Sequence, residues 1–279
     1  MPVNDELGIR MKTYYEQIPK TKLMRRTPVA IRIDGKAFHT FTKGFQKPFD
    51  EILIKSMQET TKYLCEHIQG CVLGYTQSDE ITLILIDYKN LNSDAWFDYE
   101  VQKMCSIAAS MATMAFNREF EKRVDNFELN HLMELGSCIE YDCEANRKLA
   151  ETYYHAIEKG AMFDARVFNI PKEEVMNLLY WRQLDATRNS IQMVGQANFS
   201  HTQLHGKNCS NIQDMLMLEK GINWNDYPTH LKRGTCCIKK PFNINEGTEQ
   251  EAIRNKWVID TEIPIFTQDK EYINKLIFI

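Results

Sequence analysis

The chain has 279 residues, of which 43 % are hydrophobic and 26 % charged, a composition typical of globular proteins and not of disordered, collagenous or coiled-coil ones. The net charge of −4 excludes a uniformly basic nucleic-acid coat but is compatible with a local basic patch. The longest nearly uncharged stretch, residues 106–117, is shorter than the about 20 apolar residues of a membrane-spanning helix. With an acidic N-terminus and eight cysteines that are expected to be reduced, these features predict a cytoplasmic protein without a membrane segment.

Short apolar runs and amphipathic stretches alternate in the first third of the chain. Residues 29–35 predict a strand that ends in an acid and a glycine, and residues 48–67 have the apolar spacing of a helix. Two further strands are predicted at 71–75 and 81–86, joined by the polar, turn-like segment 76–80.

A second helix and a fourth strand complete this pattern. Apolar side chains from Phe97 to Ala115 recur in steps of three and four, and residues 163–168 predict another strand. The order β-α-β-β-α-β is that of the ferredoxin-like, or split βαβ, arrangement and predicts an α+β fold. We expect residues 1–170 to form the catalytic domain, with a charged helical insertion near 119–160.

The remaining residues, 171–279, are expected to form an extension of helices and strands packed on that domain. Its first element is a long helix from Pro171 to about Phe199. His201, His205 and Cys209 follow at four-residue intervals, which would place them on one helix face. With Cys236 and Cys237 downstream, this spacing could serve a zinc site, but we favour a polar helix face with unrelated thiols.

Carboxylates are found where two of the predicted strands should meet. Strands one and three of a split βαβ sheet are antiparallel neighbours, so the end of the first lies beside the start of the third. This topology brings Asp34 close to Asp79 and Glu80. Clustered carboxylates suit Mg²⁺, and a pair of such ions would stabilise the attacking and leaving oxygens of a phosphoryl transfer.

Other residues near Asp34 fit a phosphate-binding role. Gly35 has no side chain, so its backbone allows a metal ion or a phosphate to approach closely. Lys36, Lys43 and Lys47 are placed to meet a triphosphate, although lysines near a helix start are often simply solvated. Two further basic clusters are candidates for RNA phosphate contact: Lys20, Lys22, Arg25 and Arg26, and Lys232, Arg233, Lys239 and Lys240.

Four segments, taken together and in order, resemble the signature motifs of the tRNA(His) guanylyltransferase family. They are R-I-D-G-K-A-F-H-T-F with a downstream K-P (32–41 and 47–48), G-Y-T-Q-S-D-E (74–80), F-D-A-R-V (163–167) and W-R-Q-L-D (181–185). The resemblance extends from about residue 5 to residue 240, and four motifs in the family's order make it specific.

The resemblance implies a polymerase-type palm that adds nucleotides to the 5′ end of tRNA in the 3′-to-5′ direction. ATP or GTP would first activate a 5′ monophosphate. Asp34, the Gly35 carbonyl and Asp79 would hold two Mg²⁺ ions, and Glu80 would support Asp34 and Asp79 as catalytic residues. The implied nucleotide-binding residues are Asp34, Gly35, Lys36, Ala37, Phe38, His39, Lys47, Ser78 and Asp79. A homotetramer is also implied.

One motif departs from the eukaryotic pattern. Eukaryotic members carry H-I-N-N shortly after W-R-Q-x-D, whereas residues 187–190 here read T-R-N-S. The chain is therefore more similar to the bacterial and archaeal guanylyltransferase-like branch, which prefers templated repair of 5′-truncated tRNAs. Arg188 and Asn189, with Lys232 and Arg233, are predicted tRNA contacts. Addition of a single guanosine to tRNA(His) is the alternative main role.

Two other functions use the same predicted fold. A nucleotide cyclase would also need two metal-binding acids, but it would have no evident use for the W-R-Q-x-D helix or the basic C-terminal segments. An RNA-binding module with a relic catalytic domain would have no need to keep Asp34, Asp79 and Glu80 together. Nucleotide turnover in the presence of Mg²⁺ separates these alternatives.

Overall fold

The computed structural model describes residues 5–134, 140–244 and 252–279. The strands in these residues are β1 (Val29–Gly35), β2 (Cys71–Gln77), β3 (Glu80–Leu85), β4 (Phe163–Asn169), β5 (Thr235–Ile244) and β6 (Ala252–Asp260). The α-helices in the same residues are α1 (Glu6–Met11), α2 (Phe38–Phe41), α3 (Glu51–His67), α4 (Val101–Glu134), α5 (Glu140–Lys159), α6 (Lys172–Asn198), α7 (His201–Leu204), α8 (Cys209–Lys220), α9 (Thr229–Arg233) and α10 (Glu271–Ile277).

The strands form one sheet in the order β4-β1-β3-β2-β5-β6. Every neighbouring pair is antiparallel, and β1 and β3 are adjacent. Asp34 lies in register with Glu80 on β3 and with Asp164 on β4. The predicted combination of helices with an antiparallel sheet is confirmed, and the β5–β6 hairpin extends the sheet beyond the four strands that the sequence indicates most clearly.

The two faces of the sheet differ because side chains alternate along each strand. Ile31, Ile33 and Leu83 point to one face and pack with α3 and α4 in the largest apolar cluster. Ala30 and Ile84 point to the other face and pack with α6 and α10. Towards one end of this second face, the same alternation replaces apolar residues with polar ones, among them Arg32, Asp34, Glu80 and Thr82.

Three predicted features of the helices can be compared with the structure. The α6 helix matches the predicted long helix closely. The charged segment near 119–160 is helical where it is described, but α4 runs unbroken past residue 119 because Phe116, Phe120 and Val124 continue its buried face. None of the helices in the described ranges is long and apolar enough to cross a membrane.

The cysteines agree with a reduced state where the structure describes them. Six are free thiols: Cys65, Cys71, Cys105, Cys209, Cys236 and Cys237. The side chains of Cys138 and Cys143 lie outside the described residues.

Candidate active site

The turn that follows β1 forms one wall of the candidate site. The Gly35 amide donates to the Asp79 carbonyl at 3.2 Å, and the Lys36 amide donates to the Met162 carbonyl at 2.8 Å. These bonds hold the turn between the β2–β3 hairpin and the segment before β4. A Cβ on Gly35 would lie 2.2 Å from the Phe38 ring, so only glycine fits under this buried aromatic side chain.

The β2–β3 hairpin forms the adjoining wall. Ser78 and Asp79 connect the two strands, and Ser78 adopts a left-handed φ of 49°. Its hydroxyl donates to Asp79 Oδ1 at 3.0 Å, which orients this carboxylate. Because the backbone carbonyl of Asp79 also accepts from Gly35, the hairpin tip and the end of β1 form one continuous unit.

The carboxylates of this unit are electrostatically unfavourable without a cation. Burial raises the pKa of Asp79 to about 6, and the negative charges of Asp34 and Glu80 add to this effect. Burial also raises the pKa of Asp34, and the neighbouring Glu80 and Asp164 raise it further. The Arg166 guanidinium, whose Nη2 lies 3.8 Å from Asp34 Oδ2, only partly compensates. A divalent cation between these groups would relieve the repulsion.

The available ligands suit Mg²⁺ better than they suit a metal ion that is coordinated entirely by protein side chains. Within the described ranges, no three histidine, cysteine, aspartate or glutamate side chains converge on a common metal position. An ion at this place would have the Asp34 and Asp79 carboxylates and the Gly35 carbonyl, with its other ligands from phosphate or water. Mg²⁺ is commonly bound in this way, through one or two carboxylates and substrate phosphates.

Glu80 has a different environment from the two aspartates. Its Oε2 accepts from Arg182 Nη1 at 2.6 Å and from Gln77 Nε2 at 3.0 Å, while its Oε1 lies 3.5 Å from Arg32 Nη2. Both oxygens are therefore engaged by the protein. Arg182 is only 5 % exposed and also pairs with Asp185 at 3.5 Å. Through its pair with Arg182, Glu80 fastens the β2–β3 hairpin to α6.

This role of Arg182 was not predicted from the sequence. In the sequence, the W-R-Q-x-D segment is recognisable only as a family motif. Its contact with Glu80 is not indicated, because 102 positions separate Arg182 from Glu80. The guanidinium also lies over the Trp181 ring, 3.7 Å from its centroid. A buried arginine that pairs with a distant acid cannot be identified from the sequence, because only the fold brings the two residues together.

A cavity of about 570 Å³ opens beside Asp34 and Asp79. Eight of the nine nucleotide-binding residues implied by the family resemblance line this cavity: Asp34, Gly35, Ala37, Phe38, His39, Lys47, Ser78 and Asp79. The ninth, Lys36, is exposed and lies outside the lining. Phe38 is only 5 % exposed and packs against Phe41, Phe116 and Phe163. Its ring is thus part of the apolar core and not a free surface for stacking on a base.

The four predicted tRNA contacts differ in their exposure. Arg188 is exposed and pairs with Asp185, whereas Asn189 lines a small cavity of about 80 Å³ between α3, α6 and α9. Arg233 is partly buried. Lys232 is only 9 % exposed, and its ammonium donates to the Asn225 carbonyl. This burial argues against Lys232 as a phosphate contact.

The expectation that His201, His205 and Cys209 share one helix face is wrong. His201 begins the four-residue α7, and Gly206 turns the chain with a left-handed φ of 73°. Cys209 is the first residue of the separate helix α8. These residues therefore do not form the zinc site that a continuous helix would have allowed.

Comparisons with known proteins identify the family of the chain. The family model described as tRNAHis guanylyltransferase matches residues 9–171. Two solved structures of a bacterial tRNA(His) guanylyltransferase-like protein, in complex with ATP and with GTP, are 38 % and 37 % identical to the chain. Each covers 99 % of this chain and 100 % of its own, with TM-scores of 0.77 and 0.75.

A curated relative is similar over most of its length. The tRNA(His) guanylyltransferase of Schizosaccharomyces pombe is 26 % identical over 242 residues, which cover 82 % of this chain and 79 % of the relative. The family model alone covers more than half of the 279 residues. The chain therefore belongs to the tRNA(His) guanylyltransferase family, whose members are nucleotidyltransferases.

Proposed function

We propose that the protein is a metal-dependent nucleotidyltransferase that adds nucleotides to the 5′ end of tRNA in the 3′-to-5′ direction. The observation that carries this proposal is the cavity of about 570 Å³ with Asp34 and Asp79 on its wall. A cavity of this size accommodates a nucleotide, and the two carboxylates suit the metal chemistry of phosphoryl transfer. Membership of the guanylyltransferase family supports tRNA as the acceptor.

The reaction would have two steps. A 5′-monophosphate oxygen of the RNA attacks the α-phosphorus of ATP or GTP, and pyrophosphate leaves. The 3′-hydroxyl of an incoming nucleotide then attacks the activated 5′ phosphate, and the nucleoside monophosphate leaves. Such sites act mainly by positioning the reactants and neutralising charge, which agrees with the rigid turn and hairpin around the cavity.

The metal-binding and nucleotide-binding residues have separate proposed roles. Asp34, Asp79 and the Gly35 carbonyl would hold two Mg²⁺ ions, which when bound neutralise the charge of the phosphates. The cavity residues Ala37, His39, Lys47 and Ser78 would contact the nucleotide. Lys36 is exposed at the same turn and would meet a phosphate of a nucleotide that extends beyond the cavity.

Templated repair of 5′-truncated tRNA is the proposed physiological role. The T-R-N-S stretch at residues 187–190 differs from the eukaryotic H-I-N-N motif. Two solved structures that resemble this chain over nearly its whole length are of a bacterial guanylyltransferase-like protein. In templated repair, pairing with the opposite strand selects the nucleotide. Addition of guanosine to tRNA(His) remains the second candidate, because curated relatives are named tRNA(His) guanylyltransferase.

The proposed architecture has two parts. We regard residues 1–170 as a polymerase-type palm in the split βαβ arrangement and residues 171–279 as an extension packed on it. The strand order β4-β1-β3-β2 within the sheet supports this assignment, and the Arg182–Glu80 pair connects the two parts. A homotetramer is proposed from the family resemblance alone, and a cytoplasmic location from the composition.

The test is whether consumption of ATP and GTP depends on RNA. Purified protein is incubated with Mg²⁺ and labelled nucleotide, with and without a tRNA transcript that carries a 5′ monophosphate. The proposal predicts pyrophosphate release only with this RNA and none with a 5′-hydroxyl transcript or with EDTA. Turnover of free nucleotide without RNA would instead favour a nucleotide cyclase.

A further inference from the structure

The loop that follows α6 holds the histidines that form no zinc site. It borders a second cavity, of about 500 Å³. The polar side chains on its lining are Lys47, Gln192, Gln196, His201, His205 and Lys207. Lys47 and Gln196 also line the candidate active-site cavity, so the two cavities meet at these residues.

The second cavity is suited to an anion. It has two lysines, two histidines and two glutamine side chains on its lining, and no acidic residue among the described residues that line it. Neither Lys47 nor Lys207 forms an ion pair with any residue in the described ranges. Lysine ammonium groups and imidazole N–H groups are hydrogen-bond donors that bind phosphate oxygens.

The loop is held in place by its own capping interactions and by an apolar floor. Ser200 and Gln203 form a capping box at the start of α7, and Asn208 and Asn211 form another at the start of α8. Phe199 and Ile212 are buried below the loop. The α8 helix packs so closely on α6 that a Cβ on Gly195 would lie 2.8 Å from Ile212. The basic side chains therefore project from a fixed backbone.

We propose that this cavity, the His201–Lys207 groove, binds phosphate groups that extend from the active site. The groove deepens the proposed function, because a phosphate chain that leaves the active-site cavity past Lys47 would enter it. The phosphates could belong to the RNA backbone next to the 5′ end or to the triphosphate of a nucleotide. Both sources share the same chemistry, and the two arms of the following experiment distinguish them.

The test compares two triple variants with the same change in charge. The groove variant is His201→Gln, His205→Gln and Lys207→Gln. The control variant is His67→Gln, His155→Gln and Lys89→Gln, all exposed residues that line neither the groove nor the active-site cavity. Urea unfolding midpoints establish that both variants fold like the parent.

One arm measures affinity for a 5′-truncated tRNA transcript with a 5′ monophosphate, without Mg²⁺ and at several salt concentrations. The other arm measures ATP affinity with Mg²⁺ and without RNA. If the groove binds RNA phosphates, the groove variant should lose about tenfold in RNA affinity. The slope of log affinity against log salt concentration should also become shallower, by about one phosphate contact for each cation removed. A loss confined to ATP affinity assigns the groove to the triphosphate.

Equal affinities of groove and control variants in both arms would overturn the proposal. This outcome is separable from failure of the proposed function, because binding is measured without turnover. If the parent binds RNA through the groove but does not extend it, the phosphate site stands and the assigned reaction is wrong. Lys207→Glu provides a second variant, for which charge reversal should weaken phosphate binding more than Lys207→Gln.

Discussion

At the scale of single residues, three neighbouring carboxylates have two different environments. Glu80 is satisfied by Arg182, Gln77 and Arg32 and fastens the hairpin. Asp34 and Asp79 instead have raised pKa values, for which burial is the first cause. Raised pKa values of clustered acids are typical of functional sites. The cost of ionising Asp34 and Asp79 is what a bound cation would offset.

Replacing Asp79 with asparagine should therefore abolish nucleotidyl transfer while stabilising the protein in the absence of metal. The folded state raises the pKa of Asp79 from 3.8 to about 6, so the free energy of unfolding falls as pH rises through this interval and stays lower above it. Asp79→Asn removes the penalty. We expect a gain of about 1–3 kcal/mol at pH 8 that shrinks towards zero near pH 4.

Urea unfolding of both proteins at pH 4 to 8, with EDTA present, measures this effect. Asp164→Asn is the matched control for stability, because Asp164 lies in register with Asp34 but is exposed. It should change the free energy of unfolding by less than about 0.5 kcal/mol. Destabilisation of the Asp79→Asn variant at pH 8 would refute the electrostatic account of this site.

Loss of the Glu80 charge should have the opposite effect on stability. Glu80→Gln leaves the buried Arg182 guanidinium with Asp185 as its remaining acidic partner. Removing one member of a buried ion pair destabilises by several kcal/mol, and we expect about 2–4 kcal/mol because Asp185 remains. The free energy of unfolding in urea measures it. The control Glu144→Gln, which breaks the exposed pair with Lys148, should lower the free energy of unfolding by no more than about 0.5 kcal/mol. Equal losses of stability in the Glu80→Gln and Glu144→Gln variants would contradict a clamping role for Glu80.

At the scale of elements, the turn after β1 depends on the aromatic cluster behind it. Phe38 belongs to the short helix α2 and contacts Phe116 on α4 and Phe163 on β4. The nearness of its ring to Gly35 means that the core fixes the position of the backbone next to Asp34. The turn is thus a rigid part of the fold, and a change at Gly35 must move either the ring or the strand end.

Gly35→Ala should therefore impair nucleotide binding as well as stability. The added methyl group would overlap the Phe38 ring, and overpacking of this kind costs about 1–3 kcal/mol. We expect ATP affinity to fall at least tenfold, measured by titration calorimetry. Phe38→Leu provides the partner for a double-mutant cycle: the smaller side chain should partly restore affinity to Gly35→Ala. Independent, additive effects of the two changes would show that the overlap is not the cause.

Local signals in the sequence were enough to predict β1, β3 and α6. The apolar runs indicate the two strands, and Pro171 with the acids that follow it indicates the start of the helix; all three lie close to the predicted positions. The loop after α6 was harder to predict. Four-residue spacing from His201 to Cys209 suggests one helix, but Gly206 and the capping residues Ser200 and Asn208 divide it. Local capping outweighs a weak spacing pattern.

At the scale of the whole molecule, the contacts that complete the site connect distant parts of the chain. The sequence indicates that Asp34 and Asp79 approach each other, because strand topology decides this. It does not indicate that Arg182 on α6 reaches Glu80 or that Lys232 turns inward to the Asn225 carbonyl. Both depend on how the C-terminal helices pack against the sheet, and that packing has no short-range signature.

In the proposed templated repair, the RNA selects the nucleotide that is added. The protein's own contribution is then limited to the carboxylates, the cavity and the basic groove next to it. A protein of net charge −4 would contact RNA through such local basic surfaces and not over its whole surface.

The most direct test of this central claim is templated extension. A tRNA transcript that lacks its first nucleotide and carries a labelled 5′ monophosphate is incubated with Mg²⁺, ATP and each nucleoside triphosphate in turn. Four versions differ only in the base opposite the missing position. We predict extension by the complementary nucleotide in each case and no extension by the Asp79→Asn variant. Addition of guanosine whatever the opposite base, or extension by the variant, would contradict the account.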